Sequence, residues 1–459
     1  MENKYQRIVS QIKKEIAHGR LKPGCKLPSI REMTDIYDCN KATIIRAYNE
    51  LEKEHLLYSK PKSGYYVVEG RDVCKASADS TPVIDFTPAA PDVEALPYQE
   101  FQHSINKAID VYKDSLFSYS EPQGLATLRQ TLKKYLDGFQ VFSHPNDIFV
   151  TTGSQQALFI LAAMPFPNGK SNVLVEQPTF TGMLGALKAN GVTALGIERT
   201  SLGLNLEELE RLFQNGNIKF FYTIPRFHNP TGFSYSNDQK KAILSLAQRY
   251  DVYVVEDDYL SELETDSKAD PFFAFDSTAH VIYVKSFSKT LLPGLRIASV
   301  VLPKLLINTF AFYKKSCDLN TSVLSQGALE IYLKSGMFES HIKRIRRLYQ
   351  LRMDAFRAAS AQLKELSVQC DGANSGLFTY LVLPDEINAQ GFITALTPQN
   401  VFAVNAEAMF LPSFRRDNCI RLSMCRVDEA KIFEGIRIMH TVLKSMPGIA
   451  TANKSYIDL

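Results

Sequence analysis

The chain has 459 residues, of which 45% are hydrophobic and 22% charged, as is typical of a soluble globular protein of about two or three domains. No apolar run is long enough to span a bilayer, and the net charge of +3 does not by itself indicate a nucleic-acid partner. The seven cysteines are scattered without a Cys-x-x-Cys motif, which argues against a disulfide framework or a zinc site and favours a cytoplasmic location.

The first 69 residues carry an excess of about four positive charges, whereas the remainder of the chain is near neutral. Apolar residues at helical spacing predict a first helix over Tyr5–Gly19, and Ser29 is placed to cap a short second helix. Asn40 begins a third predicted helix. The apolar face predicted for this third helix consists of Ile44, Ile45, Tyr48 and Leu51.

A two-stranded hairpin is predicted after these helices. Two runs rich in apolar and aromatic residues, 56–58 and 65–68, flank a Lys-Pro-Lys-Ser-Gly turn. Helices joined by a short turn and followed by a basic hairpin are typical of a winged helix–turn–helix.

Three segments of this region, 23–31, 43–51 and 62–65, resemble the GntR-type DNA-binding domain, and the resemblance covers nearly all of residues 1–70. It implies a double-stranded DNA operator as partner. Basic side chains suit this role because they reach phosphates and guanine edges. The alternative is a basic, solvated face on a helical interaction module. By the resemblance, the residues that face DNA are Ser29, Arg31, Lys41, Thr43 and Arg46, and the wing tip is formed by Lys62, Ser63 and Gly64.

Residues 71–82 are small and polar and lack periodicity, so they predict a linker between this domain and residues 83–459. The larger part alternates apolar runs with helical patterns, which predicts an α/β domain with a mostly parallel sheet. From about residue 330 a long Arg-rich helix and a smaller α+β segment follow, with strands near 378–383 and 420–423. The buried strands predicted for the sheet are 148–151, 173–175, 220–223, 252–255, 281–284 and 297–301.

A lysine, Lys289, follows the predicted strand 281–284 with Ser286 and Ser288 before it and Arg296 after it. A lysine among cationic and polar groups can lose its proton and form a Schiff base. Hydroxyl groups and a guanidinium suit a phosphate monoester. The segment therefore indicates covalently held pyridoxal 5'-phosphate, and its alternative is a Ser- and Lys-rich loop.

Other polar residues follow predicted strands at positions where open α/β sheets bind ligands. Backbone amides at 152–157 open a helix and suit a phosphate. Asn229 is a hydrogen-bond donor within a common turn composition. Asp257 can keep a pyridinium nitrogen protonated and Tyr259 can bind the ring oxygen, unless both belong to a solvated acidic loop. Arg421, on an apolar strand, needs either a bound carboxylate or an internal salt bridge.

The order of these residues resembles the class I/II aminotransferases of fold type I, over roughly residues 83–459. The resemblance implies a homodimer, because Tyr119 would reach the phosphate of the neighbouring subunit. Some relatives carry a second ligand-binding arginine where Gly182 stands, so the ligand is not expected to need a second carboxylate clamp there. The implied roles are Lys289 as the Schiff-base lysine, Ser154, Gln155, Ser286, Ser288 and Arg296 at the phosphate, Phe180, Asn229, Asp257 and Tyr259 at the ring, and Arg421 at the substrate carboxylate.

A GntR-type domain joined to an aminotransferase-like domain is the arrangement of the MocR family of bacterial transcriptional regulators. The resemblance implies a cytoplasmic regulator that senses pyridoxal phosphate, or its aldimine with an amino compound, at Lys289 and changes its binding to DNA. The alternative is an amino-acid aminotransferase with an appended DNA-binding domain. A third hypothesis, a degenerate scaffold without cofactor, is disfavoured by the complete set of contact residues.

Overall fold

The computed structural model describes residues 4–447 except 18, 23, 55, 61, 62, 69–82, 267 and 371–375. The chain divides into two compact units, Met1–Thr81 and Pro82–Leu459. The predicted linker, residues 71–82, lies outside the described residues. None of the described helices is both long and apolar enough to cross a membrane.

The first unit has the predicted winged helix–turn–helix composition. Ser29 and Asn40 cap its second and third helices: the Ser29 Oγ accepts from the Glu32 amide in a capping box, and the Asn40 Oδ1 accepts from the Thr43 amide at 2.9 Å. The two strands pair antiparallel, with Leu57 opposite Val67. The elements are α1 (Lys4–Ala17), α2 (Ile30–Tyr37), α3 (Lys41–Lys53), β1 (Leu57–Lys60) and β2 (Gly64–Val67).

The third helix buries a narrower face than the sequence predicts. Ile44, Tyr48 and Leu51 are buried, but the prediction for Ile45 is wrong because its side chain is 40% exposed. Buried positions on a helix recur at spacings of three and four, and Ala47 completes that stripe. Ile45 lies about 100° away from Ile44 and therefore on the exposed side.

The second unit is built around an eight-stranded sheet with the order β4-β11-β10-β9-β8-β5-β6-β7. The five strands that are adjacent in the sheet in the order β6-β5-β8-β9-β10 pair parallel. Strand β11 pairs antiparallel with both β10 and β4. The sheet strands are β4 (Ile148–Thr151), β5 (Asn172–Gln177), β6 (Ala194–Thr200), β7 (Gly203–Leu204), β8 (Ile218–Thr223), β9 (Tyr253–Asp257), β10 (Val281–Ser286) and β11 (Ala298–Val301). All six predicted strands are present.

Helices connect most of these strands. The bounds of the helices in this unit are α4 (Tyr98–Tyr112), α5 (Ala126–Asp137), α6 (Gly153–Ala163), α7 (Thr181–Ala189), α8 (Leu206–Asn215), α9 (Asn237–Arg249), α10 (Phe272–Phe275), α11 (Ile307–Asp318), α12 (Val323–Lys334), α13 (Met337–Ser360), α14 (Ala389–Leu396) and α15 (Glu429–Ser445).

The long helix α13 leads to the smaller α+β part predicted by the sequence. Its antiparallel sheet has the order β12-β15-β14, and β13 pairs parallel with β3 near the start of the unit. A separate apolar cluster, which includes Phe86, Met353 and Ile436, forms its core. The remaining strands are β3 (Ile84–Asp85), β12 (Phe378–Val382), β13 (Val401–Phe402), β14 (Val404–Asn405) and β15 (Cys419–Ser423).

Candidate cofactor site

A cavity of about 180 Å³ lies at the carboxyl edge of the large sheet. The strands β4, β5, β8, β9 and β10 run in one direction, so the polar residues that follow them meet at this edge. Of the residues that line the cavity, only Ile224 was not predicted. The lining consists of Ser154, Gln155, Phe180, Ile224, Asn229, Asp257, Tyr259, Ser286, Ser288, Lys289 and Arg296.

The start of helix α6 lies close to the Arg296 guanidinium. Gly153 adopts φ +76°, and a Cβ added there would lie 2.5 Å from Nη2 of Arg296. The first amides of the helix and the guanidinium therefore approach each other closely only because residue 153 is glycine. Both features favour an anion at this position.

Replacement of Gly153 by alanine is expected to lower the free energy of unfolding by about 1–2 kcal/mol, because a non-glycine residue is strained at positive φ. Gly185, within α7, has open space around it and serves as the matched control. Its replacement by alanine should be neutral or stabilising. Urea unfolding measures both, and equal effects at the two positions would contradict the prediction.

Lys289 lies in the loop after β10, where its Nζ donates a hydrogen bond to the Ala89 carbonyl oxygen. Burial lowers the pKa of this amine from its ordinary value; nearby Cys425 acts in the opposite sense, and the Arg421 and Arg296 guanidinium groups lower the pKa further. A lowered pKa increases the share of neutral, nucleophilic amine at a given pH. The position therefore suits covalent attachment of an aldehyde.

Asp257 is the last residue of β9 and is 4% exposed. Its Oδ2 accepts a hydrogen bond from the Tyr222 hydroxyl at 2.8 Å, while its Oδ1 is buried without a partner among the described residues. Burial raises the pKa of this carboxyl group to about 6, although the Tyr222 hydrogen bond acts in the lowering direction. The unpaired oxygen suits a protonated ring nitrogen, which is a donor.

Asn229 and Tyr259 also line the cavity. The Asn229 amide is buried and its Oδ1 has no hydrogen-bond partner among the described residues. The Tyr259 hydroxyl donates to the Phe227 carbonyl oxygen at 2.5 Å. Unpaired polar atoms in a buried site are costly, and a polar ring would satisfy them.

Arg421 does not form the internal salt bridge that the sequence left open. Its Nη2 donates to the Thr87 carbonyl oxygen at 2.8 Å, its Nε is buried without a partner among the described residues, and it lies 5.0 Å from the centre of the Phe378 ring. In the described part of the chain, no carboxylate lies within 4.0 Å of the guanidinium. Burial lowers its pKa from the ordinary value. These features suit a ligand carboxylate.

Gly182 explains why a second arginine is absent from this side of the cavity. A Cβ at this position would lie 2.3 Å from both the Gln155 Oε1 and the Phe180 ring. The Gln155 Nε2 also donates to the Gly182 carbonyl oxygen at 2.8 Å. No larger side chain fits at residue 182 unless its neighbours move.

Tyr119 lies outside the cavity lining of its own chain and is 88% exposed, and its predicted role at a neighbouring subunit stays a prediction.

In the first unit, Arg46 stacks over the Tyr5 ring at 4.2 Å, and Ser63 hydrogen-bonds Tyr66 through its hydroxyl. Lys62 lies outside the described residues. The other residues predicted to face DNA are Ser29, Arg31 and Lys41, which are exposed, Thr43, which is half-buried, and Gly64, which opens β2.

Comparisons with known proteins agree with this architecture. Residues 83–438 match the model of the aminotransferase class I and II family, and residues 4–67 match that of the bacterial regulatory proteins of the gntR family. YcxD of Bacillus subtilis, named as an uncharacterized HTH-type transcriptional regulator, is 44% identical over 440 residues, or 95% of this chain and 99% of that protein. YdcR of Escherichia coli, named in the same way, is 31% identical over 84% of this chain and 87% of its own length.

Two solved structures resemble the second unit. Pyrococcus horikoshii kynurenine aminotransferase, in complex with PMP, has a TM-score of 0.73 at 31% identity and covers 80% of this chain and 91% of its own. LysN, the α-aminoadipate aminotransferase of Thermus thermophilus, complexed with N-(5'-phosphopyridoxyl)-L-leucine, has a TM-score of 0.72 at 28% identity, with 79% and 92% covered.

The fold and the cavity thus define a class I/II aminotransferase unit of fold type I, a class whose cofactor is pyridoxal 5'-phosphate. A gntR-family helix–turn–helix precedes that unit in the same chain. The chain belongs to the MocR family, whose members combine these two parts.

Proposed function

We propose that this protein is a pyridoxal-phosphate-dependent bacterial transcriptional regulator. Residues 1–70 would bind an operator, residues 71–82 would link the two parts, and residues 83–459 would sense the cofactor, an amino compound, or both, at Lys289. The observation that supports this most is the cavity lined by Lys289 and by two buried residues, Asn229 and Asp257, with oxygens unpaired among the described residues, in a chain that also carries a gntR-family domain. A regulator of this kind would work in the bacterial cytoplasm, at the nucleoid when bound to DNA.

The residues around the cavity fit the cofactor by their chemistry. When bound, pyridoxal phosphate supplies an aldehyde carbon that amines attack and a ring that takes up electrons. Lys289 would provide the attacking amine, and the Asp257 carboxylate would accept a hydrogen bond from the protonated ring nitrogen. Asn229 and Tyr259 would contact the ring oxygen, and Phe180 would stack on the ring. The phosphate would be held by Ser154, Gln155, Ser286, Ser288 and Arg296.

Arg421 would bind the carboxylate of an amino-acid ligand. Replacing it by methionine is expected to weaken amino-acid binding about 100-fold, because the charge-assisted, bidentate hydrogen bonding of the guanidinium to a carboxylate is lost. The measurement is the amino-acid concentration at which the change in the visible absorbance of the cofactor-loaded protein is half complete. An amine without a carboxylate should bind both proteins equally.

Arg416→Met is the matched control for this variant. Arg416 is another arginine of the smaller α+β part, and neither it nor Arg421 is among the residues that line the cavity. Arg416 pairs with Glu198 at 2.6 Å near the surface, whereas Arg421 donates to the Thr87 carbonyl oxygen. If Arg421→Met bound amino acids as the unaltered protein does, or if Arg416→Met lost as much affinity, Arg421 would not be the carboxylate site.

The proposed assembly is a homodimer in which Tyr119 reaches the phosphate bound by the other subunit. Phe117 and Tyr119 are 72% and 88% exposed, and a subunit interface would remove both aromatic side chains from water. Light scattering after gel filtration measures the assembly.

The test of the regulatory function is DNA binding as a function of ligand. Anisotropy titrations with fluorescent DNA from the upstream region of the gene would be run on cofactor-free and cofactor-loaded protein, with and without amino acids. Affinity should change with at least one of these additions, since coupling requires different ligand affinities in two states. DNA binding that no cofactor or amino acid alters would contradict the proposal.

The alternative function, amino-acid aminotransferase, is supported by the same cavity and by the 31% identity to an aminotransferase of known structure. A keto-acid assay distinguishes it. Rapid multiple turnover with a common amino acid, combined with ligand-independent DNA binding, would favour the enzyme.

A further inference from the structure

The hydroxyl group that donates a hydrogen bond to Asp257 lies on the neighbouring strand and belongs to none of the predicted site residues. Tyr222, on β8, is fully buried, and its hydroxyl lies 2.8 Å from Oδ2 of Asp257. Tyr222 does not line the cavity, and this hydrogen bond joins it to a residue that does.

The hydrogen bond leaves one of the two carboxylate oxygens of Asp257 unpaired within the described part of the chain. Oδ2 is taken by Tyr222, and Oδ1, the oxygen without a partner among the described residues, remains for a ligand. A donor to one oxygen also favours the ionised carboxylate, which is the form that can hold a protonated ring nitrogen. Burial acts in the opposite direction, so the hydroxyl offsets part of the cost of a charge at this position.

We propose that Tyr222 is a positioning residue that aims Asp257 at the pyridine nitrogen and keeps its carboxyl group ionised. The proposal rests on the proposed function, since it requires that the cavity bind pyridoxal phosphate.

Other charged groups around Asp257 do not replace this hydrogen bond. The Asp258 carboxylate on the same chain segment raises the pKa of Asp257, and the Lys285 and Lys289 amines lower it through space. Lys285 is itself paired with Glu262 at 2.5 Å. Tyr259 donates its hydroxyl proton to the Phe227 carbonyl oxygen rather than to Asp257. Tyr222 is therefore the hydroxyl donor that acts directly on this carboxylate.

The sign of the pH effect follows from these contacts. The carboxyl pKa is already raised to about 6, so cofactor affinity should fall as the pH drops through that value and Asp257 becomes protonated. Tyr222→Phe removes a donor to the ionised form and should raise the pKa further. The fall in affinity should then begin about one pH unit higher, which makes the variant up to about tenfold weaker in binding at mildly acidic pH.

Tyr283→Phe is the matched control. Tyr283 is equally buried, lies on the adjacent strand β10, and donates at the same 2.8 Å to Asp258, which does not line the cavity. Its removal also deletes one buried hydroxyl from one carboxylate. Thermal unfolding of both variants then reports any general loss of stability.

The experiment is a titration of cofactor-free protein with pyridoxal phosphate at several pH values between roughly 5 and 8, the range in which Asp257 is expected to titrate. Binding is measured by the visible absorbance of the bound cofactor. It is repeated with the analogue that has carbon in place of the ring nitrogen. Tyr222→Phe should shift the profile for pyridoxal phosphate only, and Tyr283→Phe should shift neither. An unshifted Tyr222→Phe profile, an equal shift in Tyr283→Phe, or a shift that persists with the carbon analogue would overturn the inference. A protein without tight cofactor binding at any pH would instead overturn the proposed function.

Discussion

Replacement of Lys289 by alanine should abolish the visible absorbance band of covalently bound cofactor. The Lys289 Nζ supplies the amine in the cavity lining, and burial lowers its pKa so that the neutral form is accessible. Without that amine, pyridoxal phosphate can bind only noncovalently, through the start of helix α6 at Gly153 and through the residues proposed to contact its ring. The apparent affinity should therefore fall by on the order of a hundredfold or more.

Lys289→Arg distinguishes the loss of a nucleophile from the loss of a charge. Arginine keeps a cation beside Asp257 but stays protonated and does not form the covalent bond. Both variants should be colourless after dialysis and should still unfold cooperatively. If Lys289→Ala retained the band of the unaltered protein, another amine would have to hold the cofactor and the proposed site would be wrong.

The sequence was sufficient to predict the strands whose ends form the cavity. Asn229 and Asp257 each follow or end a run of consecutive apolar residues, because a central parallel strand is buried on both faces. The strand Ala194–Thr200 was not predicted, since several of its residues are partly exposed and Glu198 and Arg199 interrupt its apolar pattern. Strand prediction from apolar runs thus works for strands that are buried along their whole length, including Ile148–Thr151 at one edge of the sheet, and fails for the partly exposed Ala194–Thr200.

Contacts that depend on register between strands could not be predicted. Tyr222 lies opposite Val255 in the parallel pair of β8 and β9, and Asp257 follows Val255 by two residues on the same face. That neighbourhood exists only once the pairing is known. The same holds for Gly182, whose lack of a side chain makes sense only when Gln155 and Phe180 pack against it.

In the winged helix unit the sequence predicted the helices but overestimated the apolar face of α3. Ile45 was assigned to the core because it is hydrophobic, yet the helical period places it with the exposed side chains Lys41 and Arg46. Lys41 and Arg46 are therefore both presented to solvent, as the proposed DNA binding requires.

Arg46→Ala is expected to weaken operator binding more than tenfold while leaving the cofactor band unchanged. The Arg46 guanidinium is exposed and lies 4.2 Å over the Tyr5 ring, which restricts its motion before DNA binds. A preorganised guanidinium gains more from a phosphate or a guanine edge, a contact that contributes about 1–3 kcal/mol. Anisotropy titrations on operator and on unrelated DNA distinguish a phosphate contact from a contact to a guanine edge. Loss of a phosphate contact weakens binding to both DNAs and reduces the slope of log affinity against log salt concentration by about one.

Lys13→Ala is the control for removal of one positive charge from the same unit. Lys13 pairs with Glu54 at 2.5 Å and is outside the residues predicted to face DNA. Simple charge neutralisation would weaken DNA binding comparably in both variants, whereas a specific contact weakens it only in Arg46→Ala.

Arg46→Lys tests the geometry of the contact, because lysine keeps the charge but lacks the planar guanidinium. This variant should bind unrelated DNA as the unaltered protein does. It should lose affinity for the operator only if Arg46 contacts a base. Operator affinity that is unchanged in Arg46→Ala would remove the exposed face of α3 from the proposed DNA interface.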